Sequence, residues 1–374
     1  MSEKKAMAAI LSSLVILFGI FIVVCDGQSS SVANNIYDSL QPLGCSQFLA
    51  ILNKCSQSMR NRYSIENFWT VFAPNDTAFA RLPPERRNSF LNMSQADSEN
   101  YILAFTLPKV LQTVAFNELL PEQSRSPLNT RIFFKKRRQR DGNSASGVAG
   151  PTEYYANGAM ILRPNIPAGH SCIHVIDRVL DIPSDKSVLG YISLRGQSDT
   201  SFYREILQYI SGEGDYTQTV DFMNTRPRIT VFVPTKEAIG RIPKDKLDLL
   251  RGNPSKLNQV AQMHIIEDKV VYTSFVYHNE GINNLAKGQI IFRTNTAREA
   301  VFVSSGTVTA QVVGGNITCR NGAVHFIDTL LGYTYNTAKD EIWLNPNTRT
   351  FKQLLERAKN ELQNAVVAPS GVAL

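Results

Sequence analysis

The sequence lacks the short motifs that anchor most enzymes. Its 374 residues contain no GxSxG, HExxH or phosphate-binding loop, the patterns that mark activated serines, zinc-bound water and nucleotide phosphates. Cysteine is scarce, with five residues, and no two CxxC pairs supply the ligands of a structural zinc site. We therefore expect no enzymatic activity, no cofactor and no metal site.

What the sequence does contain is typical of folded domains. The hydrophobic fraction is 43% and the charged fraction 19%, which predicts a globular chain without large disordered tracts. The length suits two or three domains. The formal charge of +7 would suit nucleic acid, acidic glycans or a membrane surface.

The N-terminus decides among these partners. A basic start, MSEKK, precedes a nearly apolar run from Ala6 to Cys25 and a polar break, DGQSS. This layout predicts a secretory signal peptide over residues 1–27. A signal anchor is the alternative, because the run approaches the roughly 20 apolar residues that span a bilayer. Both place the remaining chain outside the cytosol, so nucleic acid is not expected as a partner.

The four cysteines after this segment are candidates for disulfides. They are Cys45, Cys55, Cys172 and Cys319, and an even number in an oxidising compartment predicts pairing, with three connectivities open. On one unbroken helix Cys45 and Cys55 would lie about 15 Å apart, too far for a bridge. Either the helix breaks between them or each pairs elsewhere.

Three sequons predict N-glycosylation at Asn75, Asn92 and Asn316. Asn92 is the most accessible candidate, because Asn75 lies inside a repeated phrase that we expect to be tightly packed.

Internal repetition is the strongest signal in the chain. TVFAPNDTAF (70–79) returns as TVFVPTKEAI (230–239), and the segment AVVAPSGVAL (365–374) starts the same way. A second phrase, CIHVIDRVLDIP (172–183), returns as AVHFIDTLLGYT (323–334). Their histidines, His174 and His325, are 151 residues apart, a period that fits whole domains rather than solenoid repeats.

Each repeated unit combines helices with strands. A helical segment (SQFLAILNKC, TSFYREILQYI) precedes a short buried strand ending at Pro74 or Pro234. Asn75 or Asp76, and Thr235 in the second unit, are expected to cap the next helix. Further helices and then alternating strands follow, and the HVID or HFID strand closes the unit. The predicted fold class is α+β.

The two phrases together resemble fasciclin-like domains of the insect fasciclin and periostin type. The resemblance rests on Thr70 to Phe79, Asn157-Gly158 to Leu162, and His174 to Leu180, with second copies at Thr230 to Ile239 and Asn321 to Asp328. It implies two tandem domains, 34–183 and 187–334, and the truncated start of a third at 346–374. It also implies a secreted or cell-surface adhesion protein that binds matrix proteins, acidic glycosaminoglycans or receptors, with self-association as a further candidate.

Integrin binding is not expected at the family's usual position. Integrin-binding relatives carry an Asp-Ile step there, whereas this chain has Asn165-Ile166 and Asn316-Ile317 and no RGD. An amide is a poor substitute for the carboxylate that an integrin's metal ion requires.

The sharpest local feature is the basic segment KKRRQR at 135–140. Its basic residues are Lys135, Lys136, Arg137, Arg138 and Arg140. We interpret them as a glycosaminoglycan site, since clustered Lys and Arg attract sulfates and carboxylates. The alternatives are a solvated hairpin and proteolytic processing after Arg140, with active fragments, because Arg137 and Arg140 form an R-x-x-R pattern.

The closing phrase contains residues that could suggest acid–base chemistry: His174, Asp177, His325 and Asp328. They alternate with apolar residues in a predicted strand, so we interpret them, with Pro74, Asp76 and Pro234, as structural. The expected role of the histidines is a hydrogen bond to the backbone that fixes the strand.

Overall fold

Each copy of the repeated opening phrase forms a central strand of its own sheet. The computed structural model describes residues 35–65, 68–124, 126, 129–138, 151–194, 205–206, 217–295, 300–335, 342 and 348–357. The predicted signal peptide, Arg140 and most of the predicted third unit lie outside these residues.

The first domain places its helices before most of its strands. The helices are α1 (Ile36–Leu40), α2 (Ser46–Asn53), α3 (Gln57–Ser64), α4 (Asp76–Ala80), α5 (Pro84–Leu91) and α6 (Gln95–Ala104). The strands are β1 (Thr70–Pro74), β2 (Thr106–Leu107), β3 (Glu122–Gln123), β4 (Arg131–Ile132), β5 (Phe134–Arg138), β6 (Thr152–Ala156), β7 (Ala159–Ala168) and β8 (Ser171–Ile176).

The second domain repeats this order. Its helices are α7 (Val188–Leu194), α8 (Thr217–Thr225), α9 (Lys236–Gly240), α10 (Lys244–Arg251) and α11 (Pro254–Met263). Its strands are β9 (Ile229–Pro234), β10 (Ile265–Ile266), β11 (Glu280–Asn283), β12 (Gln289–Thr294), β13 (Val301–Ser305), β14 (Val308–Cys319) and β15 (Gly322–Ile327). A further helix, α12 (Arg349–Arg357), follows.

The two sheets share one topology. The order is β2-β1-β8-β7-β6-β5 in the first domain and β10-β9-β15-β14-β13-β12-β11 in the second. The opening strand pairs in parallel with the closing strand in both, while the remaining described pairs in these sheets are antiparallel. The predicted α+β class is confirmed. In each domain the strands formed by the opening phrase and the closing phrase lie side by side.

The opening strand is buried and is followed at once by a capped helix. Every residue of β1 and of β9 is buried, as expected for a β-branched and aromatic run at a sheet centre. Asn75 then caps α4 by accepting from the Ala78 N–H, and Thr235 caps α9 by accepting from the Ala238 N–H. The predicted helix starts are therefore confirmed.

A β-bulge recurs in the strand next to the closing strand of each domain. The pairing of β7 with β8 shifts register before Ile166, and that of β14 with β15 shifts before Ile317. Asn165 and Asn316 lie at these bulges with φ of 58° and 61°, in the left-handed region that asparagine tolerates better than most residues. The bulges turn the two backbone N–H groups toward the closing strands.

Helix α12 differs in part from its prediction. The sequence pattern of residues 345–363 predicts a helix with Phe351, Leu354, Leu355, Ala358 and Leu362 on one apolar face. Ala358 and Leu362 lie outside the described residues. In the structure Leu355 is buried, whereas Phe351 and Leu354 are exposed. Within the described residues, only part of this apolar face is therefore buried.

Candidate functional site

The basic segment lies on strand β5, and strand geometry divides it between two faces. Side chains alternate along a strand, so Lys136 and Arg138 lie on one face and Lys135 and Arg137 on the other. The register with β6 places Lys135 opposite Tyr155 and Arg137 opposite Glu153. Lys136 is opposite Tyr154. The block that is continuous in sequence is therefore not one continuous patch.

Arg137 is withdrawn from the surface. Only 6% of its area is exposed, and its Nε lies 3.0 Å from Glu153 Oε2. The guanidinium carbon is 5.8 Å from the ring centroid of Tyr155 and 4.7 Å from that of Tyr277, within the range of cation–π attraction. The Tyr155 hydroxyl donates to the same Glu153 oxygen, at 2.7 Å. This arginine is therefore unavailable to a glycan in this conformation.

The lysines make weaker contacts. The Lys135 ammonium lies 2.7 Å from Glu118 Oε2, and the Lys136 N–H donates to Glu118 Oε1 at 2.9 Å. The Lys136 ammonium donates to the Val114 carbonyl at 3.2 Å, which leaves its positive charge without a carboxylate partner among these contacts. Arg138 is exposed. Lys136 and Arg138 thus form the accessible cationic pair of the predicted set, and Arg140 lies outside the described residues.

Lys135 faces a cleft between the domains rather than this pair. The cleft encloses about 210 Å³ and is lined by charged side chains of both signs. These are Glu118, Lys135, Arg228, Asp268, Lys269 and Glu280. The mixture gives the cleft no preference for a polyanion.

The burial of Arg137 also bears on proteolytic processing after Arg140. A protease that reads both arginines of R-x-x-R requires an exposed Arg137 side chain, and here that side chain is held on a strand. Cleavage stays a prediction that the intact mass of the secreted protein would test.

The signature histidines occupy equivalent structural positions. His174 Nδ1 accepts from the Asn165 N–H at 3.1 Å, and its Nε2 lies 2.9 Å from the Leu111 carbonyl. His325 makes the same pair of contacts with the Asn316 N–H at 3.2 Å and the Val271 carbonyl at 2.8 Å. Burial lowers the pKa of both imidazoles to about 4. Each ring is therefore neutral, with its proton on Nε2, and it ties the bulge to a loop.

The carboxylates of the repeated phrases accept hydrogen bonds from backbone N–H groups. Asp177 Oδ1 accepts from the Met160 N–H at 2.8 Å, and Asp328 Oδ1 accepts from the Gln311 N–H at 2.7 Å. Asp76 accepts from the Gln47 N–H and the Ser46 hydroxyl, both at 2.8 Å. In the part of the chain that the structure describes, no cluster of His, Cys, Asp and Glu could hold a metal ion.

Comparison with known proteins decides the family. The family model described as "Fasciclin domain" matches residues 44–183 and 203–333. The chain belongs to this family. The two fasciclin domains correspond to the two sheets described above.

Two similar proteins are longer than this chain. The chain is 25% identical to Fasciclin-1 of Schistocerca americana over 308 residues, covering 77% of this chain and 43% of the relative. It is 24% identical to human Periostin over 302 residues, covering 78% of this chain and 30% of the relative. The chain therefore spans less than half the length of these relatives.

A solved structure, a "FAS1 Domain Pair from the Insect Cell Adhesion Molecule Fasciclin I", aligns over 78% of this chain and 97% of that chain. The sequence identity is 17% and the TM-score 0.34. Within the described residues, no helix is both long and apolar enough to cross a membrane.

The four cysteines of the two fasciclin domains are free, buried thiols. Cys45 and Cys55 flank α2, whose eight residues extend about 12 Å, while Cys172 and Cys319 lie in different domains. Burial raises the pKa of the Cys172 thiol to about 11 and that of the other three to about 12. The prediction of disulfides is not confirmed, because all four cysteines are free in the structure.

The sequons differ in how their amides are used. The Asn316 Oδ1 accepts from the Thr273 N–H and its Nδ2 donates to the Thr273 hydroxyl, both at 2.8 Å. The Asn75 Oδ1 caps α4, whereas Asn92 is exposed at the end of α5. Asn165 repeats the contacts of Asn316 in the first domain, which indicates a structural use of this amide.

We expect the secreted protein to carry an N-glycan on Asn92 and little or none on Asn316. A glycan on Asn316 would crowd the amide that holds Thr273, whereas Asn92 projects into solvent. Glycopeptide mass spectrometry after enzymatic deglycosylation in heavy-oxygen water measures the occupancy of each site. High occupancy of Asn316 in folded, secreted protein would contradict the expectation.

Proposed function

We propose that this chain is a secreted adhesion protein of the extracellular matrix or cell surface. Its tandem fasciclin domains would bind matrix proteins, acidic glycans or receptors. The observation that carries the proposal is the presence of two fasciclin domains in one chain. Support comes from the similarity to Fasciclin-1 and Periostin along most of this chain.

The geometry favours contact surfaces over catalysis. The three fully or nearly fully buried histidines, His174, His264 and His325, contact backbone groups. Neutral rings held in this way have no substrate-accessible proton to transfer. A binding function would therefore use the exposed polar and apolar faces of the two domains.

Cell attachment tests the adhesive role. Surfaces coated with the secreted chain are expected to retain cells above surfaces coated with albumin. The same chain unfolded by heat before coating is the control for nonspecific sticking. Equal attachment to the native and unfolded coats would contradict the proposal, because adhesion would then not depend on the fasciclin fold.

Within this proposal, Lys136 and Arg138 are the residues assigned to acidic glycans. Both lie on the face of β5 that points away from the domain interface, and neither has a carboxylate within its described contacts. A sulfated chain would meet two cationic side chains two residues apart on one strand face, about 7 Å along the strand. Arg137 is omitted because it is buried.

Replacing both with alanine is expected to weaken heparin binding. Each exposed ion pair contributes up to about 1 kcal/mol, so the double variant should lose on the order of tenfold in affinity. The elution salt from a heparin column measures the loss. Lys236→Ala with Lys244→Ala removes the same charge from exposed sites in the second domain, and is expected to elute much closer to the unsubstituted protein. Equal shifts for the two double variants would show that only net charge matters.

A further inference from the structure

The two fasciclin domains share a buried apolar cluster. Phe133 and Tyr155 of the first domain lie in one cluster with residues of the second, including Tyr272 and Phe275. The ring centroids of Tyr155 and Phe275 are 5.6 Å apart, at an angle of 62°. This edge-to-face geometry is a favourable one for aromatic pairs.

Polar contacts surround this cluster, and they come from one short segment of the second domain. The Tyr272 hydroxyl donates to Asn157 Oδ1 at 3.4 Å, and the Ser274 hydroxyl donates to the Gly158 carbonyl. The Tyr277 hydroxyl donates to the Arg138 carbonyl at 2.8 Å. The acceptors lie at the end of β5 and in the turn between β6 and β7, so residues 272–277 contact neighbouring strands of one sheet.

Close approach of the second domain to the turn between β6 and β7 depends on Gly158. Its φ is 80°, and a Cβ built there would lie 2.8 Å from the Cβ of Tyr272. A side chain at this position would therefore push Tyr272 away. The backbone of the first domain is in direct contact with the second here.

Arg137 is a buried charged residue at the contact between the domains. Its guanidinium is placed between the ring of Tyr155 from its own domain and the ring of Tyr277 from the other, with Glu153 supplying the opposite charge. Burying an ion pair costs free energy unless further contacts compensate for lost hydration. Tyr277 provides such a contact, so the burial of Arg137 depends on the second domain being in place.

We propose that Arg137 and Tyr277 form a latch that fixes the orientation of the two fasciclin domains. The latch takes one arginine out of the basic segment and uses it to join the domains. Separation of the domains would expose Arg137 on the face of β5 opposite Lys136 and Arg138. This inference concerns the geometry of the pair and does not require that the chain binds glycans or cells.

Arginine labelling of the full secreted chain tests the latch without any ligand. Phenylglyoxal, followed by mass spectrometry, compares Arg137 with its exposed neighbour Arg138 in the same molecules. We expect Arg137 to react at least about tenfold more slowly, since labelling requires local opening of the interface. Equal rates in the unsubstituted protein would overturn the proposal.

Substitutions of Tyr277 separate the latch from ordinary burial within the first domain. Tyr277→Ala removes the ring, and because Tyr277 is only half-buried the second domain should still fold. Arg137 is expected to lose most of its protection in this variant, and small-angle scattering should show a more extended molecule. If Arg137 stays protected in this variant, the latch proposal is wrong. It is also wrong if Arg137 becomes exposed while the scattering profile is unchanged, because the domains would then keep their orientation without the contact between Arg137 and Tyr277.

Tyr277→Phe is the matched control. It keeps the aromatic ring over Arg137 and removes only the hydroxyl that donates to the Arg138 carbonyl. Protection of Arg137 is expected to remain in this variant. Its loss would overturn the assignment of the latch to the contact between guanidinium and ring.

Discussion

Lowering the pH from about 7.5 to about 5 is expected to destabilise the folded chain by roughly 2 kcal/mol for each buried histidine. Burial lowers the pKa of His174, His264 and His325 to about 4, from an ordinary value of 6.5. At pH 5 the unfolded chain therefore binds protons that the folded chain does not. The contribution of these residues to stability is complete above the unfolded pKa and is lost as the pH falls toward the folded pKa.

The hydrogen bonds explain why the folded state resists protonation. Nδ1 of His174 and of His325 each accepts a backbone N–H, so a proton on either Nδ1 would face another donor. In His264 the roles are reversed: Nε2 accepts from the Leu331 N–H at 3.0 Å, and Nδ1 lies 2.7 Å from the Val260 carbonyl. In each case the acceptor nitrogen has a donor that cannot move away without disturbing the fold.

Urea unfolding at several pH values between about 5 and 7.5 measures this effect. Carboxylates with ordinary pKa values remain ionised over this range, so the slope of the unfolding free energy against pH reports mainly on the histidines. His325→Asn should remove about one third of the slope, whatever it does to stability at pH 7.5. A slope that is flat, or that is unchanged in this variant, would contradict the assignment of neutral buried imidazoles.

The features that could be predicted from the sequence are those encoded locally or by repetition. The phrases around Pro74 and Pro234 predicted equivalent strands, because a repeated apolar run must be buried in an equivalent way. Asn75 and Thr235 predicted the helix starts, since capping depends on the residues immediately around the cap. The backbone role of His174 and His325 followed from their alternation with apolar neighbours.

The features that could not be predicted depend on contacts between distant segments. Arg137 was assigned to a glycan surface, but its position is determined by Tyr277, which lies 140 residues later in the chain. Nothing in the sequence around Glu118 predicts its contacts with Lys135 and Lys136. Alternation along a strand that begins at Phe134 is enough to assign Lys135 and Arg137 to the face opposite Lys136 and Arg138.

Replacing Gly322 with alanine is expected to cost more than about 3 kcal/mol and to unfold the second domain selectively. Gly322 begins β15 and pairs with Ile229 of β9. A Cβ built on it would lie 1.9 Å from the Ile229 carbonyl oxygen and 2.8 Å from the carbonyl carbon. Both are backbone atoms of a central strand, so the clash cannot be relieved by rotating a side chain. The two strands would have to separate.

The first domain supplies the matched control for this substitution. Ser171 begins β8 at the position equivalent to Gly322, and its hydroxyl accepts from the Trp69 N–H at 3.2 Å. This domain therefore accommodates a side chain where the second does not. Ser171→Ala should cost about 1 kcal/mol, for one lost hydrogen bond. Thermal unfolding monitored by calorimetry compares the two. If Gly322→Ala destabilises the protein no more than Ser171→Ala, the prediction is wrong. Strands β9 and β15 would then leave room for a side chain at Gly322, as the first domain does at Ser171.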